Sequence, residues 1–302
     1  MTIEKIPYRG WPNCYRVSNG EVELILTSDV GPRIMRFAFV GGQNFFHEFE
    51  TQLGTSGETA WVPRGGHRVW IAPEDPVKSY APENGPVEVK IQGSVIEAIQ
   101  PVEPLTGIQK KLTVRMSDSG SGVEVVHSLH NAASEPVELA PWALSMMARG
   151  GHGIHGFPPR GTHPEDLPPS NPLIMWAFTD LADPRWRLSR KYLVLRQDPA
   201  NPSPQKLGAW NAKTWGAYLL NGELFIKKYE ALAGPAAYPD YGSCFQTFTN
   251  ADFLELETLG PLVRLAPGKS VTHTECWSLH RGVRIQNWSD DELDAALGSL
   301  VQ

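Results

Sequence analysis

Phe253-Leu254-Glu255-Leu256-Glu257-Thr258-Leu259-Gly260-Pro261 alternates apolar and acidic residues, the period of a half-buried β-strand. On such a strand Leu254 and Leu256 turn one way, while Glu255 and Glu257 lie side by side on the other face. Gly260-Pro261 ends the strand, Pro267-Gly268 marks a turn, and Val271 to Leu279 reads as the returning strand. Two carboxylates on one strand face are an ordinary solvated surface. In a concave sheet the same pair is a place for proton transfer to a polar ligand.

The same alternation recurs along the chain. Glu21 to Thr27, Arg33 to Val40, Val87 to Gln92, Ser94 to Gln100, Gln109 to Met116, Gly122 to His130 and Pro136 to Met147 read as strands. So do Leu173 to Phe178, Tyr192 to Arg196, Thr214 to Leu220 and Glu223 to Tyr229. Asn19-Gly20 and Asn221-Gly222 are hairpin signals. Roughly fifteen short strands with little helix predict an all-β fold, a large antiparallel β-sandwich. Helix should fall below about a fifth of residues, against a norm of ~30–35%. The exception is C-terminal: Ser289-Asp290-Asp291-Glu292 predicts a capping box, with Glu292 reaching back to Ser289. Leu293, Ala296, Leu297 and Leu300 then follow at helical spacing. No linker or repeat divides the sequence, so residues 1–302 are expected to form a single domain.

A hydrophobic content of 41% with 20% charged residues fits a soluble globular protein. The net charge of -6, with no basic run, argues against nucleic acid as a partner. No stretch approaches the ~20 apolar residues of a membrane span, and residues 1–13 carry no apolar leader, so a cytoplasmic location is expected. Cys14, Cys244 and Cys276 are too few and too scattered for a disulfide framework or a zinc pattern. Ten Trp is high for this length. Most belong in the core, but a Trp face also suits the C–H surface of a sugar ring.

Polar residues concentrate in Arg64-Gly65-Gly66-His67-Arg68-Val69-Trp70, followed by Ala72-Pro73-Glu74. The Gly pair permits close approach of backbone to a ligand, Arg64 and Arg68 donate hydrogen bonds, and His67 exchanges protons near neutrality. A surface turn entering a strand would have the same composition. Tyr238-Pro239-Asp240-Tyr241-Gly242 sets an acid in a turn, where Asp240 would accept from ligand hydroxyls or simply favour the turn. His152, His155 and His163 lie in a Gly- and Pro-rich stretch, 149–171, whose spacing does not match a helical zinc motif. A mobile lid suits that stretch better.

These segments carry a resemblance. The chain is similar to the galactose mutarotase-like (aldose 1-epimerase) superfamily, and within it to a family sharing the GGHRVW–APE, APWALS, YPD and LELETLGP segments. Val30-Gly31-Pro32-Arg33-Ile34 resembles the superfamily's early strand, and Leu265-Ala266-Pro267-Gly268 its Leu-x-Pro-Gly turn. Arg64-Gly65-Gly66 is similar to the Arg-Gly-Gly at the sugar site of hexose-6-phosphate mutarotases. Leu256-Glu257-Thr258 resembles the strand bearing the catalytic base.

The resemblance implies acid/base interconversion of the anomers of a free or modified aldose, without metal or cofactor. Glu257 would be the base and His67 the acid, with Arg64, Arg68, Trp70, Trp142, Asp240 and Glu255 holding the carbohydrate. Mutarotases have a second histidine after an Asn-containing turn. Here Asn131 to Pro136 supplies the turn, but Pro141-Trp142-Ala143-Leu144-Ser145 has no His. A non-catalytic carbohydrate-binding protein on the same fold is therefore the alternative.

Overall fold

A computed structural model describes residues 1–301. It has 46% strand and 7% helix, which satisfies the all-β expectation and leaves little but strands to position a site. The first ten strands are β1 (Thr2–Tyr8), β2 (Trp11–Ser18), β3 (Val22–Thr27), β4 (Arg33–Phe39), β5 (His67–Ala72), β6 (Glu88–Gln92), β7 (Val95–Ile99), β8 (Ile108–Met116), β9 (Val123–Asn131) and β10 (Val137–Met147). Then come β11 (His152–Gly156), β12 (Leu173–Met175), β13 (Trp186–Leu188), β14 (Tyr192–Arg196), β15 (Gln205–Ala209), β16 (Lys213–Leu220), β17 (Glu223–Glu230), β18 (Phe245–Thr249) and β19 (Leu254–Leu259). β20 (Val263–Leu265), β21 (Ser270–Arg281) and helix α1 (Asp290–Val301) close the chain.

The chain divides into two compact units, Met1–Met146 with Leu262–Trp277, and Met147–Pro261 with the chain from Ser278 on. In the first unit, β1-β2-β3-β4-β5-β10 form an antiparallel sheet, with β20 against β10. A second antiparallel sheet runs β21-β9-β8-β7-β6. Their inward residues form a core in which Trp277 meets Phe37 and Phe46, each at 5.6 Å between centroids. The second unit has one sheet ordered β19-β18-β15-β12 and another ordered β13-β14-β11-β16-β17, all antiparallel pairs. Its core joins Ile154, Val194, Trp215, Leu224 and Ile226 to Leu293 and Leu297 of α1.

Local chemistry explains several boundaries. Asn221 and Gly222 both take positive φ, 51° and 81°, as a two-residue hairpin between β16 and β17 requires. At α1, the Ser289 hydroxyl accepts the Glu292 N–H at 3.3 Å, as expected of the N-cap. Glu292 does not reach back to Ser289. Its carboxylate accepts the backbone N–H groups of Gln286, Asn287 and Trp288 instead, at 2.7–2.9 Å. Strand β19 also departs from expectation: all six of its residues are buried, so neither face is a solvated surface.

Candidate functional site

In the first unit the segment before β5 is anchored through its backbone. Arg64 has a left-handed φ of 52°, and Gly65 and Gly66 follow at 94° and 75°. A Cβ on Gly65 would stand 2.0 Å from the His47 carbonyl oxygen, and one on Gly66 would stand 2.4 Å from that of Ile34. The Gly pair is thus required by the protein's own backbone. Buried Arg33 donates to the Pro63 and Gly65 carbonyls and to Glu83. Arg64, also buried, donates to Asn84 and Glu58 and is committed to holding this loop.

Beyond the loop, β5 alternates. Arg68 and Trp70 turn to one face, opposite Leu144 and Trp142 of β10, and His67 turns to the other. The Arg68 guanidinium lies 4.4 Å from the Trp70 ring centre and 5.7 Å from that of Trp61, a cation–π arrangement. Trp70 also meets Trp142 edge-on at 5.6 Å. The indole N–H groups of Trp61 and Trp70 are buried without a hydrogen-bond partner. Donors left this way lose hydration without replacement.

His67, the acid that the resemblance implies, lies on the opposite face of β5 from Arg68 and Trp70. The ring is fully buried between the two sheets of the first unit. Its Nδ1 is 2.8 Å from Ser145 Oγ and its Nε2 is 2.6 Å from His127 Nε2. His127 Nδ1 lies 2.8 Å from the His273 carbonyl oxygen, which accepts only, so Nδ1 carries the proton there. A neutral His127 then accepts from His67 Nε2–H, and Ser145 donates to His67 Nδ1. The chain of hydrogen bonds is closed, and both His67 nitrogens are occupied.

The second unit holds the acids. Glu257 is fully buried on β19, and its Oε2 accepts from Lys206 Nζ of β15 at 3.0 Å. The Lys206 ammonium also lies 4.7 Å from the Trp176 ring centre. Gln246 of β18 stands opposite Glu257 in the register and shares its face. Its Nε2 donates to Asp240 Oδ2 at 2.7 Å, while its Oε1 is buried without a hydrogen-bond partner. Asp240 and Tyr241 both take left-handed φ, 51° and 61°, so the YPDYG turn is strained in holding this carboxylate. Glu255 shares the face with Glu257, as the alternation implied, and lies opposite Phe248. Adjacent on one face are thus a carboxylate with its ammonium partner and an amide whose one open function is an acceptor.

No protein-family model matches the chain, and no curated protein does. Three solved structures match it over nearly their full length. A galactose mutarotase-like protein from Lactobacillus casei aligns over 89% of this chain and 100% of its own, at 10% identity and a TM-score of 0.56. Slr1438 from Synechocystis aligns over 93% and 99%, at 11% identity and a TM-score of 0.57. A galactose mutarotase related enzyme from Lactobacillus acidophilus aligns over 89% and 98%, at 10% identity and a TM-score of 0.52. The chain has the galactose mutarotase-like fold.

On this mutarotase-like fold, the residues expected from sequence are distributed over both units. Arg64, His67, Arg68, Trp70 and Trp142 are in the first, and Asp240, Glu255 and Glu257 in the second. Lys206, Gln246 and Trp176 were not singled out from sequence. Lys206 sits in QKLGA, which has no strong β pattern, and nothing local marks it as the partner of an acid 51 residues away. Of the expected loop histidines, His155 is a buried β11 residue whose Nδ1 donates to the Trp215 carbonyl at 2.8 Å. Its ring stacks on Phe245 at 4.1 Å. His152 stacks on Trp288. Among the described residues, no helix is long and apolar enough to cross a membrane.

Proposed function

We propose that this protein binds a free or modified aldose and interconverts its anomers by acid/base catalysis. Anomer exchange requires a base at the anomeric hydroxyl and an acid at the ring oxygen. Glu257 is the base, the role its resemblance to the mutarotase strand implies. Lys206, rather than His67, is the acid, because its ammonium stands 3.0 Å from the Glu257 carboxylate. Gln246 Oε1 accepts from a sugar hydroxyl, and Trp176 offers a ring face. The observation that carries the reading is the buried Glu257–Lys206 pair beside the unpartnered Gln246 carbonyl. In the first unit, buried Arg68, Trp70 and Trp142 form a second cluster whose chemistry would suit a carbohydrate.

The withdrawal of His67 into a closed network favours a second reading, a carbohydrate-binding protein without turnover. A thermal-shift panel of aldoses, sugar phosphates and uronates, followed by NMR exchange spectroscopy on whichever sugar binds, separates the two. Accelerated exchange supports the enzyme, and binding without acceleration supports the binding protein. Failure of every sugar to bind would end both. We further propose that the two units behave as one domain, which would unfold in a single calorimetric transition.

A further inference from the structure

The closed histidine network contains a third group. Glu275 of β21 is fully buried, and its Oε2 lies 4.0 Å from His67 Nε2. The Trp277 indole N–H donates to the same oxygen at 2.7 Å. His67 Nε2, His127 Nε2 and a Glu275 carboxylate oxygen all lie within 4.8 Å of one another. We propose that His67, His127 and Glu275 form a site for a divalent transition metal, zinc above all, which clamps the two sheets of the first unit together.

Three observations support the inference. First, the ligand set is two imidazoles and one carboxylate, which suits zinc and its neighbours rather than calcium or magnesium. Second, each histidine is already oriented from behind. His127 Nδ1–H is held by the His273 carbonyl, and His67 Nδ1 faces the Ser145 hydroxyl, which donates or accepts by rotating. When His67 shifts its proton from Nε2 to Nδ1, Ser145 becomes the acceptor. Both Nε2 lone pairs then point into the same space, with no net proton gained or lost.

Third, the dimensions are close to those of one ion. Two nitrogens on a tetrahedral zinc, at about 2.0–2.1 Å each, stand about 3.3 Å apart. The observed separations are 2.6 Å for His67–His127 and 4.0 Å for His67–Glu275, on either side of that value. Binding would spread the two rings and draw the carboxylate in, each by about 0.7 Å. Three protein ligands leave the fourth tetrahedral position to water, and aromatic rings pack close by. Trp277 packs edge-on against His67 at 4.6 Å, and the Phe46 ring stacks with it at 6.3 Å. The ligands come from β5 in one sheet and from β9 and β21 in the other, so the ion joins elements distant in sequence.

The test uses the whole chain. Protein produced with zinc in the medium and dialysed against a weak chelator is assayed for bound metal, alongside Glu275→Gln, His127→Gln and Ser145→Ala. The wild type should hold about one zinc per chain, as a site of this ligand count does. Ser145→Ala, which touches only the orientation of a ligand, should weaken binding by about 10–100-fold. The two ligand variants should lose the metal while keeping a wild-type circular dichroism spectrum. Cobalt added to metal-free wild type should give the visible absorption of a low-coordinate nitrogen and oxygen site. A wild type that holds neither zinc nor cobalt would overturn the proposal, leaving the two histidines to share a proton. Unchanged metal content in the folded ligand variants would overturn it equally. If those variants fail to fold, X-ray absorption of the wild-type cobalt protein decides. A shell of two imidazoles and a carboxylate supports the site, and any other shell rejects it.

Discussion

The two units each bury a polar cluster, and the clusters differ in one respect. In the first unit, the hydrogen bonds run from Ser145 to His67 to His127 to the His273 carbonyl with every ring nitrogen occupied. In the second, Gln246 Oε1 is left without a partner next to the Glu257–Lys206 pair. A satisfied interior network serves the fold, because each group has replaced the water it lost. An unsatisfied acceptor costs stability that a ligand donor would restore. On the function we propose, the sugar chemistry belongs to the Glu257 cluster and a structural role to the His67 cluster.

The largest effect should fall on turnover in the open cluster. Lys206→Met should lower the anomer-exchange rate by about 10²–10⁴-fold, the usual worth of a positioned acid or base. Loss of rate with the binding isotherm kept would assign Lys206 to proton transfer. Loss of binding alone would make it a ligand contact.

In the closed cluster the expected loss is stability. His67→Ala removes one partner each from Ser145 and His127 and opens a cavity, and should destabilise by about 3–4 kcal/mol. Denaturant unfolding measures it, and a change below about 1 kcal/mol would mean that the network is not structural.

A third test concerns pH. Burial lowers the pKa of His155 to about 4, partly opposed by its bond to the Trp215 carbonyl. The folded state thus keeps the ring neutral, while the unfolded chain protonates it near its ordinary value of about 6.5. Its contribution is fully present above that value and is lost as pH falls toward 4, about 3 kcal/mol in all. His155→Gln should flatten the dependence of unfolding free energy on pH over this window. An unchanged slope would place the titration elsewhere.

The smallest effect should come from Gln246→Leu. It removes the unpartnered acceptor at little cost but also the bond from Nε2 to Asp240, so stability should fall by about 1–2 kcal/mol, with sugar binding weakened by about 1–2 kcal/mol. A large loss of stability would show that this cluster, too, is structural.

The fold was legible because sandwich strands advertise themselves by alternation and turn chemistry, as in β16, β17 and their Asn221-Gly222 hairpin. β1 was missed because TIEKIPY exposes or half-exposes every residue and lacks an apolar face. The site was only partly legible. Glu257 stood out in an alternating strand, but His67, Arg68 and Trp70 were grouped by proximity in sequence. Reading 67–72 as a strand would have separated His67 from the other two, since period-2 alternation sends it to the opposite face. Lys206 and Gln246 were invisible for another reason. Their significance depends on register with β19, which single-residue chemistry does not encode.

The central claim is that Glu257 is the base of an anomer-exchanging site. Glu257→Gln keeps the shape and hydrogen-bonding reach of the side chain but removes its proton affinity. NMR exchange spectroscopy and titration calorimetry on one sugar, for wild type and variant side by side, test the claim most directly. The account predicts accelerated exchange in the wild type, and in the variant a fall to the spontaneous rate with affinity nearly unchanged. A variant that exchanges anomers as fast as the wild type would contradict it.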